Sequence, residues 1–217
     1  MDLSHPLSKA TPRATIFPEP NFHRIRSLPE DPLNITEMQM VVHIGTHVDA
    51  PCHFLEDGPG FHEIPLDRLS GPGVVVTIEG KTAGQTIGVD DFRAANVDIR
   101  PSDIVVLHTG WGERAHTHDY HDHPYVTPDA AGWLVEKKVK LFACDMPTPD
   151  MPTVRRPLDY DWPVHHILLR NGILISENVT GLKQLGGQRA EFMFVGLNIE
   201  GSDGAPARVL GRTVHQP

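Results

Sequence analysis

The segment from residue 43 to residue 54 holds three histidines and an aspartate around one glycine and one proline. The four candidate ligands in it are His43, His47, Asp49 and His53. All four stand at odd positions, so an extended chain would place their side chains on one face. A helix would separate the first pair from the second, and Gly45 and Pro51 both oppose helix formation. The pattern therefore predicts an extended segment that presents several metal-ligating groups together.

Full extension cannot by itself form a metal site from these side chains. At about 3.3 Å per residue, positions 43 and 47 would stand ~13 Å apart. Two imidazoles that each lie ~2.0–2.1 Å from one zinc ion need closer backbones. The chain must bend, and Gly45 is the residue best able to adopt the required dihedral angles. Cys52 stands at an even position, away from the ligand face, and is expected to pack in the interior.

A metal site on one segment needs further ligands from elsewhere in the chain. The best distant candidates are His165, early in a predicted helix over residues 163–169, and Glu177, at the end of an apolar strand. His166 points roughly 100° away from its neighbour around the helix, so only one of the two histidines is expected to reach the site. The spacing alone does not choose between them.

Length and charge narrow the class of protein. The chain has 217 residues and a formal net charge of −9, which suits one domain spanning residues 1–217. Without a cluster of Lys and Arg, it is a poor candidate for binding nucleic acid or anionic lipid. No apolar run approaches the ~20 residues that cross a bilayer. Two cysteines and a start without secretory character favour the cytoplasm.

Apolar runs and turn signals predict a mixed α/β architecture. The predicted strands cover residues 38–44, 74–78, 104–107, 140–143, 173–176 and 191–198, and the predicted helices cover 90–95, 127–138 and 163–169. The histidine-rich stretch 116–123 is expected to be an exposed loop. Asp145 and Asp150 could orient ligating imidazoles, but their setting favours solvated loop residues. Strands and helices alternate from residue 104 onward, as in a single mixed α/β domain.

The pattern His43-x-Gly45-Thr46-His47-x-Asp49-x-Pro51-x-His53-Phe54 resembles the signature of the cyclase-like metal-dependent hydrolases, which include bacterial kynurenine formamidases and isatin hydrolases. The resemblance implies a swivelling β/β/α fold and one or two zinc ions, with manganese as the alternative. It implies that His43 and His47 bind a first metal and that Asp49 bridges two metals. His165 and Glu177 match a ligand of the second metal and a second bridging ligand. His53 matches the proton donor and acceptor.

The same resemblance implies a hydrolase that uses a metal-bound hydroxide on a small amide, an N-formyl aryl amide or a cyclic amide. Its class would be that of an arylformamidase, acting on carbon–nitrogen bonds other than peptide bonds. Phe17 stands where the formamidases carry a tryptophan on the substrate wall. The family also implies a homodimer or larger homo-oligomer. Two alternatives stay open: a metal-dependent cyclase or lyase acting on a small carbonyl compound, and a non-catalytic metal-binding protein.

Overall fold

Among residues 1–213, which the computed structural model describes, seven strands close into a barrel in the order β10-β11-β3-β9-β8-β6-β4. The strands are β1 (Asn21–Arg26), β2 (Ile35–Gln39), β3 (His47–Asp49), β4 (Ser70–Thr77), β5 (Thr86–Ile87), β6 (Ile104–His108), β7 (Tyr125–Val126), β8 (Leu141–Cys144), β9 (Leu174–Glu177), β10 (Arg189–Gly196) and β11 (Gly204–Thr213). The helices are α1 (Val89–Ala94), α2 (Pro128–Glu136) and α3 (Pro163–Arg170). The predicted mixed α/β fold is confirmed.

Both faces of the parallel part of the barrel are buried, which explains its continuous apolar runs. Strands β4, β6, β8 and β9 are parallel neighbours, and their side chains alternate between two cores. Val75 and Val106 fill the barrel interior, whereas Val74 and Val105 pack outward among side chains of the helices. Val48 of β3 also points into the interior. His47 and Asp49, its neighbours, therefore face outward, toward the helical side of the wall.

The predicted strand over residues 38–44 is wrong in its placement. The strand there, β2, ends at Gln39 and, among the described residues, pairs only with β1, in an exposed hairpin. Residues 40–46 are irregular, and Gly45 takes the left-handed conformation, with φ +58°. The bend predicted at Gly45 is thus present, but it displaces His43 from the strand that carries His47 and Asp49.

The expectation of an exposed loop over residues 116–123 is also wrong in part. A short 3₁₀ helix covers His118–His121, and both Tyr120 and His123 are buried. The indole of Trp111 donates to the carbonyl of Tyr120, and the Tyr120 hydroxyl donates to Asn178 Oδ1 over 2.8 Å. This stretch therefore holds Asn178, the residue after Glu177, in position.

Helices α2 and α3 begin as their sequences predict. The Thr127 hydroxyl caps α2 by accepting from the Ala130 N–H, and Pro128 and Pro163 occupy the first turns of the two helices. Helix α2 ends two residues short of the predicted Lys138. Across residues 1–213, no helix has both the length and the apolar character needed to span a bilayer.

Candidate metal centre

The antiparallel pairing of β3 with β9 brings the first part of the centre together. His47 lies opposite Glu177 in this pairing, so their side chains share the outward face. His47 Nε2 lies 3.5 Å from Glu177 Oε2 and 3.3 Å from Asp49 Oδ1. His165, in the first turn of α3, places Nε2 3.2 Å from Glu177 Oε1. Residues far apart in sequence thus meet at the carboxyl end of β9.

Asp49 occupies the middle of the cluster. One triad of ligand atoms comes from His43, Asp49 and His53, and a second comes from His47, Asp49 and Glu177. The atoms of each triad lie within 4.8 Å of one another. His165 Nε2 also lies 3.5 Å from Asp49 Oδ2. A carboxylate shared by two triads has the placement that a bridging ligand requires.

Two buried atoms in this cluster, Nε2 of His47 and Oδ2 of Asp49, have no hydrogen-bond partner within the described chain. Buried polar atoms without partners are costly, and native proteins pair nearly all of them. Imidazole nitrogens and carboxylate oxygens are the donors that zinc and related divalent metals bind. The residues present therefore fit a divalent cation.

Backbone geometry fixes the orientation of His47. Its Nδ1 donates to the carbonyl of Gly45 over 2.8 Å, which leaves the Nε2 lone pair directed at the carboxylates. A Cβ atom at position 45 would lie 2.7 Å from Thr11 Cγ2, and the positive φ already disfavours other residues. Gly45 therefore both bends the chain and supplies the carbonyl that orients a candidate ligand.

Asp150 orients His165, which corrects the expectation that this carboxylate is solvated. Asp150 is fully buried, and its Oδ2 accepts from His165 Nδ1 over 2.6 Å. It also accepts from the backbone N–H groups of Val164 and His165. His166 points elsewhere and lies 3.5 Å from Asp161. The structure therefore directs His165, and not its neighbour, into the cluster.

Asp145 is buried as well, so the expectation that it is solvated is also wrong. It accepts hydrogen bonds from the N–H and hydroxyl groups of Thr109 and from the Gly110 N–H. Burial raises the pKa of its carboxyl group, and the bonds from Thr109 act in the opposite direction. Asp145 thus holds the turn after β6 instead of orienting a candidate ligand.

The charges of the cluster favour cationic imidazoles at some positions and a neutral one at another. Burial opposes the charged form of His43, but hydrogen bonding to Asp49 and the charges of Asp49 and Asp203 raise its pKa to about 9. Burial likewise opposes charge on His165, yet its bond to Asp150 and its contacts with the carboxylates hold the pKa well above the usual value. The carboxylates thus stabilise positive charge beside them, and a bound divalent cation would supply such charge as well.

His53 differs from these two histidines. Burial is the main reason that its pKa falls to about 4, so its imidazole is neutral near pH 7. Its ring stacks on that of His43, with centroids 3.9 Å apart and planes at 20°. His53 Nδ1 lies 3.5 Å from Asp203 Oδ2. The arrangement gives a neutral imidazole at the edge of the cluster.

Sequence reasoning gave no role to two residues at the edge of the site, Asp203 and Phe54. Asp203 Oδ2 lies 3.0 Å from His43 Nε2, and Phe54 places its ring centroid 4.6 Å from those of His53 and His165. Asp203 stands in a Gly-x-Asp-Gly stretch. An aspartate between glycines in a turn was the one sequence feature that could have marked it as a site residue.

Phe17 and Cys52 lie outside the ligand cluster. Phe17 is half-buried, and its N–H donates to the carbonyl of Ala14 in a turn of the N-terminal segment. Its predicted place on the substrate wall stays a prediction. The thiol of Cys52 is half-buried and contacts the Ser202 carbonyl oxygen at 3.6 Å. Cys52 also packs against the barrel core.

Residues 1–151 match the protein-family model Cyclase, described as "Putative cyclase". The chain belongs to the cyclase family. Among similar proteins, a kynurenine formamidase from Salinibacter ruber is 30% identical over 197 residues, covering 88% of this chain and 86% of the relative. A kynurenine formamidase from Bordetella petrii is 29% identical, covering 97% of this chain and 96% of the relative.

Solved structures of other proteins share the fold of this chain. Isatin hydrolase A from Ralstonia solanacearum has a TM-score of 0.86 and 22% identity, with 97% of this chain and 90% of that chain covered. A structure titled as a predicted metal-dependent hydrolase from Bacillus stearothermophilus has a TM-score of 0.77 and 28% identity, with 97% and 96% covered.

These comparisons confirm the resemblance stated from the sequence and the predicted class, a hydrolase of carbon–nitrogen bonds other than peptide bonds. Together with the buried cluster, they indicate a divalent metal.

Asp150→Asn is expected to weaken metal binding while the fold is retained. The amide removes the negative charge that orients His165 through Nδ1, and such partners typically contribute about 10–100-fold in metal affinity. Competition with a chromophoric chelator measures this affinity, with Asp159→Asn, an exposed carboxylate on the same segment, as the control. Equal affinity in the two variants would contradict the orienting role.

Proposed function

We propose that this chain is a metal-dependent hydrolase of small amides, and that N-formyl aryl amides are its substrates. The observation that carries the proposal is the buried cluster of histidines and carboxylates with a neutral histidine at its edge. A structural zinc site typically closes with four ligands. Here five candidate ligands and a further histidine converge, which favours a centre open to substrate.

The ligands proposed for the metal are His43, His47, Asp49, His165 and Glu177. Their imidazole and carboxylate donors suit zinc, as one or two ions, with manganese as the alternative. When bound, such a cation polarises the substrate carbonyl and lowers the pKa of a coordinated water toward ~7. Asp49, which contacts all three imidazoles, would supply negative charge that holds the cation in place.

His53 is proposed to carry the proton between nucleophile and leaving group. Because it is neutral, its imidazole can accept a proton as water attacks the amide carbonyl. With Nδ1 directed toward Asp203, Nε2 is the atom left to exchange that proton with the amide nitrogen. Delivery of the proton to that nitrogen allows the carbon–nitrogen bond to break, which releases formate and the neutral aryl amine. A positioned acid–base group of this kind contributes about 10²–10⁴-fold to the rate.

The aryl part of the proposed substrate has support from the site and from the relatives. Phe54 offers an aromatic face beside both His53 and His165, and Phe17 is proposed as a second aromatic wall. The curated relatives at 27–30% identity are named kynurenine formamidases. We place the enzyme in the cytoplasm as a homodimer or larger homo-oligomer. The exposed apolar side chains of Ile25, Ile35 and Met38 on the β1–β2 hairpin support such an assembly.

Removal of metal is expected to abolish hydrolysis, because the same cation serves the nucleophile and the carbonyl. Protein treated with a chelator and dialysed should be inactive, and zinc or manganese should restore turnover. The assay compares N-formylkynurenine, isatin and simple aryl amides, and it records ring closure as well as hydrolysis. Full activity in metal-free protein contradicts the proposal. Loaded protein that converts none of these compounds favours a non-catalytic metal-binding role.

A further inference from the structure

The segment that leads into α3 holds an arginine against two aromatic rings. The guanidinium carbon of Arg156 lies 4.7 Å from the centroid of Trp162 and 5.2 Å from that of Tyr160. Its Nε donates to the Met151 carbonyl over 2.6 Å. Two cation–π contacts and one backbone bond thus fix the guanidinium in position. A long, flexible side chain is thereby ordered before any ligand binds.

This cluster borders the candidate metal centre. The Tyr160 hydroxyl donates to Asp150 Oδ1 over 2.7 Å, and Asp150 in turn orients His165. On the other side, the ring of Trp162 lies 6.2 Å from that of Phe54, which contacts His165 directly. Both sets of contacts connect the aromatic cluster to His165.

The charge of Arg156 also acts near the centre. Burial lowers the pKa of its guanidinium, and the negative charges of Asp150 and Glu177 oppose that change. Asp150 is occupied by Tyr160 and His165, and Glu177 belongs to the proposed ligand set. Neither carboxylate lies within ion-pair distance of Arg156 in residues 1–213. Within residues 1–213, the half-buried guanidinium thus has no ion-pair partner, and its one hydrogen bond is made by Nε.

The neighbouring arginine shows the contrast. Arg155 is exposed and forms an ion pair with Asp122, with Nη2 2.7 Å from Oδ2. In the described part of the chain Arg156 has no such counter-ion, although half-burial makes an unpaired charge more costly. Trp162, which stacks on it, takes the left-handed conformation at φ +41°, uncommon for a bulky residue. Strain of this kind is concentrated at ligand clamps and active sites.

We propose that Arg156 binds a carboxylate on the substrate while Phe54 and Trp162 contact its aromatic ring. The inference rests on the proposed function and assigns to Arg156 the selection of aryl formamides that carry an acidic substituent. A planar guanidinium can donate two parallel hydrogen bonds to one carboxylate, which gives both affinity and orientation. The anchored ring would present its formamide group to the metal centre and to His53.

A matched pair of substrates tests this assignment. 3-(3-Formamidophenyl)propanoate carries the carboxylate, and 3-propylformanilide has a similar shape without charge. We expect the wild-type protein to prefer the acid in kcat/KM. In Arg156→Met the ratio of the two kcat/KM values should fall by about 10–100-fold, as expected for loss of hydrogen bonds to a charged group. Arg155→Met, which removes an exposed neighbouring arginine, should keep the wild-type ratio.

Binding of the amine product separates this inference from the proposed function. Calorimetry with 3-(3-aminophenyl)propanoate, which cannot close to a lactam, needs no turnover, and its Kd should rise by about tenfold or more in Arg156→Met. Failure of the wild-type protein to hydrolyse either formamide would count against the proposed function, while the Kd comparison would still decide the role of Arg156. An unchanged ratio with an unchanged Kd overturns the assignment. A lower melting temperature with the same ratio and Kd would show that Arg156 only stabilises the segment, and would overturn it too.

Discussion

Asp49→Ala is expected to lose bound metal and essentially all hydrolytic activity. Asp49 belongs to both triads of ligand atoms, and its carboxylate contacts His43, His47 and His165. Without it, no carboxylate contacts all three imidazoles, since Glu177 contacts only His47 and His165, and the cation would lose both a ligand and an opposing charge. Elemental analysis of purified protein gives the metal content, and the aryl formamide assay gives the activity of the same preparation.

Asp49→Asn separates loss of a ligand from loss of the fold. The amide nearly preserves the volume of the side chain at this fully buried position but removes its charge. We expect metal content to fall in this variant as well, with a circular dichroism spectrum like that of the wild-type protein. Asp57→Asn, an exposed carboxylate in the loop that follows His53, is the control and should keep its metal. Normal metal content in Asp49→Asn would exclude Asp49 as a ligand.

The local part of the centre could be predicted because its information lies within a few residues. His47 and Asp49 alternate around buried Val48, so the period of two places both on one face of β3. The need for a bend pointed to Gly45, whose positive φ meets it. The prediction that His43 also lies on this strand was wrong. A residue that precedes the bend at Gly45 does not follow the alternation of the strand after it.

Partners that act across the fold were beyond the reach of the sequence pattern. Asp203 approaches His43 and His53 from the loop between β10 and β11, and no spacing rule links it to them. Asp150 stands in a proline-rich segment, where a carboxylate is usually solvated, yet its backbone and tyrosine partners hold it in the interior. Tertiary contacts, not local propensity, decide the burial of such residues.

The apolar runs of the sequence likewise predict local structure well, but they do not show the effects of tertiary contacts. Residues 104–107 form a strand buried on both faces, and their uninterrupted apolar character is sufficient evidence for it. Residues 38–42 have a similar composition, but the strand there stops at Gln39. Its end is determined by the turn toward the metal centre, and this requirement comes from the partners of His43. At this position the apolar run alone does not show where the strand ends.

His53→Ala is expected to keep its metal while kcat falls by about 10²–10⁴-fold, the usual contribution of a general acid–base group. The geometry makes this a demanding test, because a nitrogen of His53 lies within 4.8 Å of ligand atoms of His43 and Asp49. As a ligand, His53 would support metal binding directly. As a neutral imidazole with Nδ1 toward Asp203, it is suited to proton transfer instead.

Three measurements on each of three variants distinguish these roles for His53: metal content, melting temperature and kcat. His43→Ala should lose metal and activity together, since a ligand supports every later step. His118→Ala, which removes an exposed histidine, should match the wild-type protein in all three. If His53→Ala loses metal as His43→Ala does, His53 is a ligand and the proton-transfer role is wrong. If its melting temperature falls while kcat per folded molecule is unchanged, the stacked ring of His53 only packs against His43.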